Sequence, residues 1–118
     1  MKTILVAEDN ESNYILMYYI LRNHYQVVHA KDGQEAVEMA NRDDIDLILM
    51  DIKMPVMNGH EATAKIKETR PTLPIIALTA NAFDSDRKMA LEAGCDDFIA
   101  KPVNAAQCLE IIAKFIGE

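Results

Sequence analysis

Two periods of hydrophobic positions alternate along this chain. Five short apolar runs recur: Ile4-Leu5-Val6-Ala7, Val27-Val28 with Ala30, Leu47-Ile48-Leu49-Met50, Ile75-Ile76-Ala77-Leu78 and Phe98-Ile99-Ala100. Uninterrupted runs of this kind fit strands buried on both faces, as in a parallel sheet covered by helices. A longer amphipathic segment follows each run. The first, over residues 11–22, turns Leu16, Met17, Ile20 and Leu21 inward and leaves Tyr14, Ile15, Tyr18 and Tyr19 largely outside that stripe. Asp9 or Asn10 can cap it, and Asp32-Gly33 reads as the turn out of the second strand. A short helix carries Ala36, Val37 and Ala40, and a third over 60–69 is bounded by Arg70-Pro71. Asp84 or Ser85 can cap the fourth, and Gly94 is placed to end it in the left-handed conformation. Asn104 with Gln107 resembles a capping box for the last helix, whose inner stripe is Leu109, Ile112, Phe115 and Ile116. This (βα)5 alternation predicts one α/β domain over residues 1–118, a doubly wound parallel sheet. Right-handed crossovers place helices on both faces, giving three layers.

Composition narrows the class. At 118 residues, half of them hydrophobic, the chain has room for one real core. The net charge of −7, with no Lys/Arg cluster, disfavours direct nucleic-acid binding. No apolar run reaches membrane-spanning length, and the N-terminus opens on a strand pattern rather than a signal peptide. A cytoplasmic location is expected, whether the chain stands alone or is one piece of a membrane-attached protein. Cys95 and Cys108 lie in different predicted elements without metal-ligand spacing, so reduced thiols are expected, with a disulfide as the outside alternative. The seven methionines are scattered as core filling. His24, His29 and His60 share no metal spacing, so surface or structural roles are expected for all three.

The chemistry gathers where strands end. Parallel strands all finish on one edge, which brings together Glu8 and Asp9, Asp51, Thr79 and Lys101. Two like charges about 4 Å apart repel by roughly 4 kcal/mol at an effective dielectric of about 20. A cluster of three carboxylates therefore calls for Lys101 and for a divalent cation. Oxygen ligands without a convergent His or thiolate point to Mg²⁺. A carboxylate beside a hard cation and an ammonium is a good receiver of a phosphoryl group, with Asp51 as nucleophile and Thr79 as donor to a phosphoryl oxygen.

At these residues a resemblance becomes plain. Glu8-Asp9, Leu49-Met50-Asp51-Ile52-Lys53-Met54-Pro55, Leu78-Thr79-Ala80 and Lys101-Pro102 match, in order and spacing, the receiver domain of two-component response regulators. The style is most like receivers of hybrid histidine kinases. The resemblance covers the whole chain and implies a flavodoxin-like sheet of order 2-1-3-4-5. It implies that Asp51 accepts phosphate from a histidine kinase or histidine phosphotransfer domain. Asp9 and the backbone carbonyl of Lys53 would ligate Mg²⁺, with Glu8 acting partly through water. Lys101 would pair with the phosphoryl group, and its bond to Pro102 would be cis. Thr79 and Phe98 would switch on phosphorylation, and Lys53 and Asn81 would influence how fast the acyl phosphate hydrolyses. The strip of Tyr14, Ile15 and Tyr18, with Tyr19, is a candidate docking face for the phosphodonor; the alternative is that these rings pack on the fifth helix. The resemblance also allows a phosphorylation-dependent dimer. One departure is the lack of a glycine between the first helix and second strand, where Asn23-His24 stand.

Two rivals fit less well. A phosphatase-type hydrolase with an aspartyl nucleophile would want a second acid at position 53, which is lysine. A flavin-binding module needs a hydroxyl- and glycine-rich phosphate loop after the first strand, where this chain has Glu8-Asp9-Asn10-Glu11.

Overall fold

The structure, a computed structural model, describes residues 1–80 and 84–117, the side chains of 84–87 excepted. Strands β1 (Thr3–Ala7), β2 (Gln26–Ala30), β3 (Ile45–Asp51), β4 (Ile75–Thr79) and β5 (Asp97–Ala100) alternate with five helices. These are α1 (Glu11–Leu21), α2 (Gly33–Met39), α3 (Gly59–Thr69), α4 (Asp84–Ala93) and α5 (Ala105–Ile116). All strand pairs are parallel and the order is 2-1-3-4-5, as the resemblance implies.

The apolar runs divide by the two-residue period of a strand. Leu5, Ala7, Ile48, Met50, Ile75 and Ala77 face one way and pack with α2, α3 and α4 through Ala36, Ala62, Ile66 and Ala90. Ile4, Val6, Leu47, Leu49, Ile76, Leu78 and Ile99 face the other way, onto Met17 and Leu21 of α1 and Cys108 and Ile112 of α5. Both faces of the inner strands β1, β3 and β4 are nearly dry, which is why these strands read as apolar runs without alternating polar residues. Cys95 and Cys108 are free and buried in opposite clusters, so the sheet stands between them and excludes the disulfide alternative. Burial alone raises the Cys108 thiol to about 11.

Local rules account for most boundaries. Asn10, Asp32, Asn58 and Asn104 each cap a helix, accepting from the backbone N–H three residues on. Asp32-Gly33 is thus a helix start and not only a turn. Asn10 rather than Asp9 takes the cap of α1, which leaves the Asp9 carboxylate exposed and uncommitted to that role. Gly94 has φ 111 and Gly117 φ 75, left-handed positions that end α4 and α5. The fourth helix begins at Asp84, but the side chains of its two candidate caps lie outside the described residues. Leu16 departs from the expected stripe: it is 49% exposed, while Met17 and Leu21 alone of α1 are fully buried. With α5 alongside, α1 buries a narrower stripe than its apolar content suggests. No helix among the described residues is long and apolar enough to cross a membrane.

On the edge remote from the acids, Arg70 closes the turn between α2 and β3. Its guanidinium donates to the carbonyls of Ala40 at 2.8 Å, Arg42 at 3.0 Å and Ile45 at 3.4 Å. Arg70→Ala leaves partly buried carbonyls without a charged donor and should destabilise the fold by about 2 kcal/mol, measured by urea unfolding with an unchanged m-value.

Candidate functional site

The C-terminal ends of β1, β3, β4 and β5 open into a cleft of about 320 Å³. Glu8, Asp9, Asp51, Lys53, Thr79 and Lys101 all line it, so the residues picked from strand ends do converge. Asp51 is the last residue of β3 and only 5% exposed; Glu8, one residue beyond β1, is 1% exposed. Lys101 Nζ lies 3.2 Å from Asp51 Oδ1 and 3.4 Å from Glu8 Oε2, bridging the two acids. Its backbone N–H donates to the Thr79 carbonyl at 2.7 Å, which ties the end of β5 to the end of β4. Thr79, 4% exposed, holds the wall opposite Glu8 on the β4 side.

Tight packing brings α3 against the same edge. Gly59 N–H donates to the Ile52 carbonyl at 2.8 Å, and a Cβ at Gly59 would collide with the carbonyl of Asp51. Between them lies the loop 52–58, where Val56 is 83% exposed and has φ 68. A β-branched residue in that region is strained, and the strain sits within five residues of Asp51.

One carboxylate oxygen from each of Glu8, Asp9 and Asp51 lies within 4.8 Å of the others. Three hard anionic donors, two of them nearly dry, fit a small divalent cation that keeps part of its water shell. The electrostatics point the same way. The Glu8 carboxyl is pushed above its usual range first by burial, then by the charge of Asp51 and a hydrogen bond to it. Lys101 and the Asn10 N–H, which donates to Glu8 Oε1 at 3.2 Å, offset this only in part. A single ammonium does not balance three acids.

Phe98 is not in the cleft lining; it is half-buried against the core layer formed by α2, α3 and α4. Ile15 and Tyr18 are 46% and 40% exposed on α1. Tyr14 is half-buried and lies stacked on His29 of β2, at the margin of the core layer formed by α1 and α5. Asn81 lies outside the described residues. Two histidines carry more than sequence spacing suggested. His60 lines the cleft with a buried Nδ1 that has no hydrogen-bond partner among the described residues, and His29 bonds the Glu8 backbone. Neither follows a ligand spacing; only the fold brings them to the acids.

The response regulator receiver domain family matches residues 4–113. The chain is 33% identical over 120 residues to the sensor protein GacS of Pseudomonas syringae, covering 97% of this chain and 13% of that protein. It is 40% identical over 129 residues to hybrid signal transduction histidine kinase I of Dictyostelium discoideum, covering 98% of this chain and 7% of the kinase. Against the polar-differentiation response regulator DivK of Brucella ovis it is 32% identical, covering 99% of this chain and 98% of DivK. Among solved structures, the receiver domain of a Pseudomonas aeruginosa sensor histidine kinase superposes with a TM-score of 0.91 at 42% identity, covering 99% of this chain and 98% of that one. It carries a magnesium ion coordinated in its active site cleft. The receiver domain of the Saccharomyces cerevisiae response regulator Ssk1, solved with the histidine phosphotransfer protein Ypd1, has a TM-score of 0.91 at 32% identity, covering 97% of this chain and 88% of that one.

The raised Glu8 value has a sign that can be tested. The folded chain holds this proton more tightly than the unfolded chain, so stability falls as pH rises from 4.5 through the folded value. Glu8→Gln removes that loss. In chelator at neutral pH its thermal midpoint should exceed wild type, with the two converging below the ordinary value of 4.5.

Proposed function

The chain belongs to the response regulator receiver domain family, and on that premise we propose that Asp51 is its phosphoacceptor, loaded from a phosphohistidine. The observation that carries this reading is the placement of Lys101 Nζ 3.2 Å from Asp51 Oδ1 beside a cluster of three acids. An Asp51 oxygen forms the new P–O bond while the P–N bond to the donor imidazole breaks. Lys101 is already within reach of the nucleophile and pairs with the incoming phosphoryl oxygens. Thr79, on the adjoining strand end, donates its hydroxyl to one of them. Glu8, Asp9, Asp51 and the backbone carbonyl of Lys53 are the residues that would hold Mg²⁺. Bound there, the ion would neutralise charge on the transferring group, as hard cations do in phosphoryl transfer.

In this reading the domain assists its own phosphorylation and dephosphorylation and does not turn over as a classical enzyme. The acyl phosphate introduces a new charge at the ends of β3 and β4, and Thr79 and Phe98 are the residues through which it shifts the population between two states. Lys53, on the cleft wall, is placed to affect hydrolysis. The donor is a histidine kinase or histidine phosphotransfer domain acting in the cytoplasm. It would dock on α1, where Ile15 and Tyr18 are exposed. An apolar groove of about 350 Å³ bordered by Leu16, Met17, Pro102 and Val103 opens beside Lys101 and continues that face to the cleft.

Incubation with Mg²⁺ and acetyl phosphate should add the mass of one phosphoryl group, and the gain should vanish in Asp51→Asn and in chelator. Persistent phosphorylation of the variant at another residue would overturn the assignment. For the donor face, a charge at Ile15 or Tyr18 should slow transfer from a phosphohistidine domain about tenfold or more while leaving acetyl phosphate labelling intact. Equal loss in both assays would sink docking on α1.

A further inference from the structure

His29 stands on β2, one strand away from Glu8. Its Nε2 lies 2.8 Å from the Glu8 backbone carbonyl. A carbonyl can only accept, so Nε2 carries the proton and donates, which sets the tautomer. The ladder between β1 and β2 ends at the pair Ala7 and Ala30, and the Glu8 N–H still reaches the Ala30 carbonyl at 3.0 Å. Beyond that point the ladder has ended, and the imidazole supplies the Glu8 carbonyl with a donor. Tyr14 lies flat on the imidazole, with ring centroids 3.6 Å apart and planes 6° from parallel.

The contacts form a closed circuit. His29 holds the Glu8 carbonyl; the Glu8 carboxylate accepts from the Asn10 N–H; the Asn10 carbonyl accepts from the Tyr14 N–H at 3.0 Å; and the Tyr14 ring covers His29. Asp9 sits inside that circuit. The peptide that joins the two neighbouring acids therefore has its orientation set by a side chain outside the cleft.

We propose that His29, clamped by Tyr14, is a positioning residue for the divalent cation at Glu8, Asp9 and Asp51. The inference rests on the cation site proposed above and assigns it a support. Small hard cations demand near-octahedral ligand geometry, so a ligand pair that must be ordered on binding costs affinity. The donated bond to the Glu8 carbonyl does that ordering in advance.

Calorimetric titration of the intact chain with Mg²⁺ tests this, with the thermal midpoint in chelator as a second readout. His29→Phe keeps a flat ring under Tyr14 and removes the donor; Mg²⁺ binding should weaken about fivefold, the worth of one hydrogen bond. His29→Gln returns an amide N–H and should bind within about twofold of wild type, as expected when the donor and not the ring is what counts. Wild-type affinity in His29→Phe would overturn the proposal. So would equal weakening in both variants, which would make the ring's bulk the cause. If wild type itself bound no Mg²⁺, the cation site would fail first and this support with it, an outcome visible before any variant is made.

Discussion

An ammonium held between two nearly dry carboxylates is the interaction on which the cleft depends. Without Lys101, Glu8 and Asp51 would face each other across a few ångströms at the end of a sheet whose interior offers no water. The lysine can stand there because β5 is the neighbour of β4 and its end is tied to Thr79 by a backbone bond. The strand order is therefore not a background fact. It sets which charge meets which acid, and the cap at Asn10 leaves a third acid over for a cation. Three negative groups, one fixed positive group and space for a second positive group make a site whose charge balance is unfinished on purpose.

The two layers of helices contribute differently. The layer of α2, α3 and α4 presses Gly59 against the Asp51 backbone and carries Phe98 half-buried at its margin. The layer of α1 and α5 presents exposed apolar side chains beside the cleft mouth. In the proposed function, the first of these sides would sense what happens at Asp51 and the second would receive the phosphodonor.

Much of this was legible in the chain. The apolar runs, the acid ending each of the first and third, and Thr79 and Lys101 at the ends of the fourth and fifth identified the cleft, because in a parallel sheet strand ends must share an edge. Helix caps followed from Asn and Asp at the right offsets. What the chain did not reveal depends on lateral neighbours. Leu16 looked like core because periodicity counts apolar residues and not the width of the surface that receives them. Tyr14 looked like part of an exposed strip because its partner, His29, is fifteen residues away and on another element. His60 reached the cleft only because α3 starts hard against β3. Spacing along a chain predicts contacts within an element far better than contacts between them.

The two thiols lie on opposite sides of the sheet, each buried and each held back from ionising chiefly by that burial. A reagent that traps thiolates can reach Cys95 only when the layer of α2 to α4 opens, and Cys108 only when α1 and α5 part. The molecule thereby carries two built-in clocks, one per layer. Comparing their rates in the unphosphorylated and phosphorylated states would separate loosening of the α2 to α4 layer from loosening of the α1 and α5 layer, without adding a single foreign label.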